Sequence, residues 1–248
     1  MCTLVIGWQV LGSDTLLLAA NRDEDPARPA TGPMVLRRSP RVVGGRDQRA
    51  GGTWLAIRER RCVIAVLNRR NSRAEGASPA PPVPSRGWLV QAIAAAGDGE
   101  PAACARAARL LLRADPYAPC SLVIAGPRAV WVVNHRASGD TSVEAAGPGW
   151  HVITHEDLDD PSEPRTAWLA AELRGFAPPS VDAGLKRLDG LLAAHGGATP
   201  AVCLHQGRMR TVSTTRVWMS GKNVQYLHGE GTACRAVWSD HSNLLDPS

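Results

Sequence analysis

The sequence predicts an α+β fold built on antiparallel sheets. Segments of β character follow one another in hairpins and helical segments come in pairs, a pattern that differs from alternating β–α–β units. The length of 248 residues, 44% of them hydrophobic and 21% charged, is sufficient for a sizeable core. Because no repeat or linker divides the sequence, we expect residues 1–248 to form a single domain.

The chain opens with a predicted hairpin. Residues 3–10 and 15–20 are apolar at nearly every position, which favours strands buried on both faces, and residues 11–14 (LGSD) suit the turn between them. A polar run follows the second strand, and Pro29 and Pro33 predict that it continues as a loop. The glycine pairs further on, GG at 44–45 and at 51–52, indicate close approach of another chain segment.

The remaining elements follow from turn residues and apolar periodicity. A charged turn is predicted at residues 58–61, and a loop or flap in the proline- and alanine-rich residues 71–85. Apolar residues at three- and four-residue spacing predict helices at 85–96, 101–114, 164–173 and 181–194. Strands are predicted at 62–67, 121–125, 130–134, 150–154, 201–205, 211–219 and 223–228.

Composition and charge narrow the class of protein. The net charge of +5 comes almost entirely from arginine, which suits carboxylate or phosphate ligands. No dense basic run with interleaved aromatic residues predicts nucleic-acid binding. Neither a secretory signal nor an apolar run of about 20 residues is present, so we expect a cytoplasmic protein without a membrane span. The six cysteines show no CxxC spacing and the histidines no HExxH, so no metal site is predicted. The oligomeric state stays open.

The candidate nucleophile is Cys2. Removal of Met1 would leave a thiol and a free α-amine on one residue, and the amine, with a pKa of roughly 7.7–8.0, could accept the thiol proton. The resulting thiolate is the attacking form. Asn21 and Asp23 lie just past the second strand, where the antiparallel partner of Cys2 must lie, so we expect them to orient the amine. Strand alternation points Arg22 to the opposite face.

The same residues carry a resemblance to a known family. Residues 1–4 (MCTL) and 21–24 (NRDE) resemble the opening of the NRDE family, which is named for that tetrapeptide and is also called the transport and Golgi organisation family. The other blocks that resemble the family are GGRD at 44–47 with GGTWL at 51–55, AVLNR at 65–69 with SRG at 85–87, and STT at 213–215.

The resemblance implies both a fold and a chemistry. The family is similar to N-terminal-nucleophile hydrolases, which form an αββα sandwich and include penicillin acylase-like and bile-salt hydrolase-like amidases. By that likeness Cys2 would be the nucleophile and Asp23 the partner of its amine. Asn21 would orient the site, and Asn68 is a candidate donor to the oxyanion. The implied activity is that of an amidohydrolase or acyltransferase acting on a small amide or acyl substrate without a cofactor.

Five further residues are predicted to contact the substrate, because they lie on or beside the matching motifs: Arg22, Trp54, Arg69, His155 and Ser213. The alternative function is a non-catalytic carrier that holds haem or another hydrophobic ligand in the same cleft, since eukaryotic members of the family are linked to haem handling. Cysteine or histidine could ligate haem iron, although the sequence has no CxxCH motif.

Overall fold

The computed structural model describes residues 2–69, 83–221 and 223–246. In this part of the chain the strands are β1 (Thr3–Trp8), β2 (Thr15–Glu24), β3 (Ala30–Arg37), β4 (Val42–Asp47), β5 (Leu55–Arg58), β6 (Cys62–Asn68), β7 (Cys120–Gly126), β8 (Ala129–His135), β9 (Thr141–Ala145), β10 (Gly149–Ile153), β11 (Arg210–Ser220), β12 (Asn223–Glu230) and β13 (Val237–Asp240). The helices are α1 (Arg86–Ala95), α2 (Pro101–Ala114), α3 (Pro164–Leu173) and α4 (Val181–Leu192), with short 3-10 helices at Ala233–Arg235 and Ser242–Leu245.

The strands form two antiparallel sheets that pack face to face. One sheet has the order β10-β1-β2-β11-β12-β13 and the other has the order β3-β4-β5-β6-β7-β8-β9. Helices α3 and α4 cover the outer face of the first sheet, and α1 and α2 cover the outer face of the second. The predicted α+β class, an αββα sandwich, is therefore confirmed.

Strand alternation explains why the opening hairpin is apolar on both faces. In β1, Leu4 and Ile6 point into the core between the sheets, whereas Val5 points outward against α3 and α4. Leu18 of β2 is fully buried in the central core and Ala19 in the outer one. Burying a side chain the size of leucine contributes about 1.5–3 kcal/mol. Because alternate residues of the hairpin are buried in the central and the outer core, both cores contribute to its stability.

Helices α1, α3 and α4 begin where the sequence supplies a capping side chain. Ser85 Oγ accepts the Gly87 N–H at the start of α1, and Ser180 Oγ accepts the Ala183 N–H at the start of α4. At α3 the Glu163 carboxylate accepts the N–H of the third helical residue, 2.7 Å away, and proline occupies the first helical position. These local signals account for the close agreement between the predicted and observed helices.

Several predicted boundaries were wrong. Strand β2 continues to Glu24, so the polar run lies within the sheet because β11 pairs with it along its whole length. Residues 30–37 form an edge strand instead of a loop; Pro33 is tolerated there because it lies at a register shift in the pairing with β4. Residues 201–205 make one isolated bridge instead of a strand. Strands β4, β5, β9 and β13 were not predicted, and residues 71–82 of the predicted flap lie outside the described residues.

The longest helix in the described part of the chain, α2, has 14 residues, whereas a membrane span needs about 20. None of the helices that the structure describes is both long and apolar enough to cross a bilayer.

Candidate active site

Strand pairing places Cys2 at one end of the central β1–β2–β11 ribbon. Thr3 lies opposite Asn21 in the β1–β2 register, so Cys2, one residue earlier, lies beside Arg22. The Cys2 thiol donates to the backbone carbonyl of Asp23, with 3.9 Å between sulfur and oxygen. The lengths of the strands and the turn predicted that Cys2 lies beside Asn21 and Asp23, and the structure has them adjacent, although Asn21 and Asp23 lie within β2 and not past its end.

The polar residues of β2 divide between the two faces of the sheet. Arg22 faces the space between the sheets, where its guanidinium carbon lies 4.3 Å from the centre of the Trp54 ring. Asn21 faces the helical layer, where its amide nitrogen donates to the carbonyls of Leu192 and Val202 at 2.9 and 3.1 Å. The alternation was predicted, but the face that opens into the cleft is that of Arg22. The Asn21 side chain therefore fixes β2 to the last residue of α4 and to the segment after it.

Asp23 is a buried carboxylate held by two distant segments. Its Oδ1 accepts a hydrogen bond of 2.7 Å from Thr211 Oγ1, and Arg165 Nη1 lies 3.5 Å from its Oδ2. Burial raises the pKa of Asp23, and the hydrogen bond from Thr211 and the charge of Arg165 oppose that shift without cancelling it. Arg165 also donates to Thr3 Oγ1 at 2.8 Å and so joins β1 to β2.

Sequence reasoning missed Thr211 and Arg165. Thr211 lies on the C-terminal strand already singled out by its hydroxyl residues, and its register opposite Asp23 could have indicated the contact. Nothing in the sequence around Arg165 indicates its contact, because the pairing depends on how α3 packs on the sheet.

The Cys2 side chain opens into a cleft of about 310 Å³ between the ends of the two sheets. The residues that line it include Cys2, Arg22, Asp23, Glu24, Arg28, Asp47, Trp54, Asn68 and Arg86. Asn68 is the last residue of β6 and is exposed, so its amide can turn toward a ligand near Cys2. Trp54 can approach closely because Gly45 lies beneath it: a Cβ at Gly45 would come within 2.4 Å of the indole.

Within the described part of the chain, the charges of the cleft leave one arginine without an ion-pair partner. Arg28 is paired with Asp47 (Nε–Oδ2 2.9 Å), and Arg22 Nη2 lies 3.6 Å from Glu24. Arg86 donates to a backbone carbonyl at 2.9 Å, and no carboxylate of the described residues forms an ion pair with it. Burial lowers the pKa of Arg86, which reflects the cost of holding this cation without a counter-charge.

The Cys2 sulfur needs a base before it can attack. Burial, followed by the negative charge of Asp23, raises the pKa of the Cys2 thiol above its ordinary value of 9.0. Near neutral pH the side chain is therefore a thiol, so a nearby proton acceptor is required to generate the thiolate.

Arg69, predicted to contact substrate, is engaged elsewhere. Its Nη1 donates to Ser121 Oγ at 3.0 Å and to Asn134 Oδ1 at 3.2 Å, and its Nη2 lies 2.8 Å from Asp157. These bonds hold the loop after β10 to the second sheet. The residue supports the wall near Asn68, and it is not among the residues that line the Cys2 cleft.

His155 and Ser213 lie on either side of the hairpin. The β1–β10 register pairs Leu4 with Ile153, so His155, buried just beyond β10, lies at the same end of the sheet as Cys2. Ser213 lies opposite Arg22 on β11 and lines an adjacent cavity of about 290 Å³, which shares Arg22 and Trp54 with the main cleft. Ser213 therefore adjoins the site through Arg22, while neither residue is among those lining the Cys2 cleft.

Solved structures that share this fold include proteins named as an acid amidase, a bile acid hydrolase and a penicillin acylase. A Caenorhabditis elegans N-acylethanolamine-hydrolyzing acid amidase ortholog superposes with a TM-score of 0.60 at 12% identity, covering 87% of this chain and 92% of that chain. A mutant of the conjugated bile acid hydrolase from Clostridium perfringens gives 0.59 at 13% identity, covering 100% and 95%. Penicillin V acylase from Agrobacterium tumefaciens gives 0.56 at 12%, covering 97% and 86%. At these identities the likeness establishes the fold alone.

The sequence comparisons identify the family. No curated protein matched the chain in sequence. A family model for Transport and Golgi organisation 2 matches residues 1–182, which include Cys2, the β2 polar run and Asn68. The chain therefore belongs to the Transport and Golgi organisation 2 family, and its fold is that of the N-terminal-nucleophile hydrolases.

Proposed function

We propose that this protein is an N-terminal cysteine amidohydrolase or acyltransferase that acts on a small amide or acyl substrate. One observation carries the proposal: the Cys2 thiol opens into the cleft at the point where β2 holds the buried carboxylate of Asp23 beside the start of β1. Removal of Met1 would place the α-amine of Cys2 next to that carboxylate, and the solved proteins of this fold described above are named as an amidase, a hydrolase and an acylase.

The proposed reaction begins with proton transfer from the Cys2 thiol to its own α-amine, which Asp23 keeps in position. The thiolate then attacks the substrate carbonyl, forming a C–S bond while the carbonyl π electrons move to oxygen. The side-chain amide of Asn68 and a backbone N–H would donate to that oxyanion, a contribution of a few kcal/mol per donor. Collapse breaks the C–N bond, and the ammonium group returns the proton to the leaving amine. Water, or an acceptor amine in a transferase, then attacks the thioester carbonyl, the C–S bond breaks, and the proton of the attacking group returns through the α-amine to the Cys2 sulfur.

The charges of the cleft favour a substrate that carries a carboxylate. Arg86 is a partly buried cation without an ion-pair partner among the described residues, and a guanidinium binds a carboxylate through two parallel hydrogen bonds. Arg22 and Trp54 form a flat wall on the other side, where a cation stacks on an aromatic ring. An acyl group lying on Trp54 would leave the carboxylate end of the substrate near Arg86.

Haem carriage remains the alternative prediction for the same cleft. Among the described residues that line the cleft, Cys2 is the one side chain of a type that commonly ligates haem iron, because no histidine or methionine lines it. Titration of wild-type protein and Cys2→Ala with haemin tests this alternative. A stoichiometric Soret shift that depends on Cys2 would favour the carrier over the hydrolase.

The test of the hydrolase combines intact-mass measurement with covalent labelling. We expect the purified chain to lack Met1 and to acquire one adduct at Cys2 from a carboxylate-bearing β-lactone. Cys2→Ala should abolish the adduct, whereas Cys104→Ala, which removes a fully buried thiol behind the second sheet, should leave it unchanged. An uncleavable N-terminal extension, which keeps the thiol and blocks its amine, should slow labelling by roughly 100-fold or more, the usual contribution of a general base.

Substrate charge has its own matched pair of variants. Arg86→Gln should slow labelling by the carboxylate probe more than labelling by its methyl ester, while Arg109→Gln, at an exposed position of α2, should change neither. Retention of Met1, or labelling that is independent of Cys2, would refute the proposed chemistry. Equal effects of Arg86→Gln on both probes would refute the substrate class alone.

A further inference from the structure

A second group of reactive side chains lies outside the cleft. His195, Cys203, His205 and Cys234 each offer one ligand atom, and these four atoms all lie within 4.8 Å of one another. Three of them lie in the segment between α4 and β11, residues 193–209, and Cys234 lies in the 3-10 helix after β12. All four residues lie beyond residues 1–182, the part matched by the family model. The sequence predicted no metal site, because the spacing of these four residues matches no common metal-binding motif such as CxxC or HExxH.

The distances within the group suit a small tetrahedral site. His205 Nε2 lies 3.5 Å from Cys203 Sγ and 3.3 Å from Cys234 Sγ, and the rings of His195 and His205 stack edge to face with centroids 4.7 Å apart. A zinc ion with bonds of about 2.0 Å to nitrogen and about 2.3 Å to sulfur separates its ligand atoms by about 3.3–3.8 Å. The four donors are therefore close to the positions that such an ion requires.

We propose a structural zinc site with two cysteine and two histidine ligands. Its ligands are His195, Cys203, His205 and Cys234. Two thiolates balance the charge of the ion and two imidazoles complete a closed tetrahedron, a donor set that selects zinc over oxygen-preferring cations. With four protein ligands the ion has no open position, which assigns it a structural and not a catalytic role.

The site would hold together segments that support the Cys2 cleft from behind. The backbone N–H groups of Val202 and Cys203 both donate to the Ala194 carbonyl, and the Val202 carbonyl accepts the Asn21 amide. One residue after Cys203, the Leu204 N–H donates to the same Thr211 hydroxyl that donates to Asp23. The four ligands are therefore positioning residues, because the segment they tie down fixes Asn21 and Thr211.

Metal content tests the site directly. Protein purified without chelators should contain about one zinc per chain by elemental analysis, and cobalt(II) reconstitution should give the intense visible bands of a tetrahedral thiolate site. Cys234→Ser and His195→Ala, which alter partly buried and exposed positions, should each lose most of the zinc and the cobalt bands while the protein stays folded. Cys2→Ser is the matched control: it removes a thiol elsewhere and should keep the full zinc content.

The structural role has a separate readout. Chelation should lower the unfolding temperature of the wild type and of Cys2→Ser, but not that of Cys234→Ser, because only the first two proteins hold the ion. Wild-type protein that contains no metal and gives no cobalt bands would overturn the proposal, as would a Cys203–Cys234 disulfide in protein purified from reducing cytosol. Since neither readout depends on Cys2 activity, failure here leaves the proposed hydrolase untouched, and the reverse also holds.

Discussion

Replacing Thr211 with valine isolates the hydroxyl that supports the candidate active site. Thr211 is 2% exposed, and its Oγ1 donates to Asp23 Oδ1 at 2.7 Å while accepting the Leu204 N–H at 2.8 Å. Valine has nearly the same shape but provides neither bond. The substitution therefore tests hydrogen bonding with little change in packing.

The expected loss of stability follows from these two bonds. Removing one partner of a buried hydrogen bond costs about 1–3 kcal/mol, and the upper part of that range applies when the acceptor is charged. Thr211→Val should therefore lower the free energy of unfolding by about 2–5 kcal/mol. Since 1.4 kcal/mol is about a factor of ten in an equilibrium constant, even 3 kcal/mol would change the folding equilibrium by roughly 100-fold.

Urea denaturation followed by tryptophan fluorescence measures this loss, because the chain contains eight tryptophans. Thr211→Ser is the control: it keeps the hydroxyl, loses one methyl group and should cost about 1 kcal/mol. The reasoning is wrong if Thr211→Val lies within about 0.5 kcal/mol of the wild type, or if the serine variant is destabilised as much as the valine variant. Slower labelling of Cys2 in folded Thr211→Val would connect the same hydroxyl to the position of Asp23.

Three further changes test other parts of the structure. Gly52→Ala should lower the free energy of unfolding by about 1–3 kcal/mol, because its Cβ would lie 2.4 Å from the backbone at the start of α1. The control Gly147→Ala, whose Cβ would have no atom within 4 Å, should differ from the wild type by less than about 0.5 kcal/mol in urea denaturation. Equal losses in the two variants would contradict the argument. Burial opposes protonation of His151, but hydrogen bonds to Asp159 and a backbone carbonyl outweigh it and raise the His151 pKa above 6.5. The stability from this pair is complete below pH 6.5 and is lost as pH rises through the folded-state pKa, so the advantage of the wild type over His151→Gln should shrink from about pH 6 to about pH 8, and a constant difference would refute the assignment. Gly190→Ala, at an exposed position of α4 with no atom near its Cβ, should raise the unfolding free energy by about 0.5–1 kcal/mol, and a loss in urea denaturation would contradict this.

Those features of the cleft that depend on segments adjacent in sequence could be predicted. The turn at residues 11–14 and two strands of similar length placed Cys2 beside the end of β2, and the observed register of Thr3 opposite Asn21 agrees with that arithmetic. The glycine pairs indicated close contacts, and Gly45 does lie against Trp54. Which face of β2 opens into the cleft was not predictable, because the face depends on where the second sheet packs.

Boundaries were mispredicted where long-range pairing overrides local composition. The polar residues of β2 remain in the strand because β11 supplies hydrogen-bond partners from the far end of the chain. Residues 201–205 are apolar enough to predict a strand, but their backbone groups bind the Ala194 carbonyl and the Asn21 amide and do not pair along a sheet. Local sequence patterns contain no information on either partner.

The sequence by itself determined the fold class, the opening hairpin and the place of Cys2, because apolar periodicity, turn residues and capping groups act over a few residues. Only the tertiary structure decided that Arg165 and Thr211 hold Asp23, that Arg69 is engaged outside the cleft, and that the cysteine–histidine group meets at one point. Those contacts join residues from separate segments of the chain. They form through helix packing and strand pairing between those segments, which no short stretch of sequence specifies.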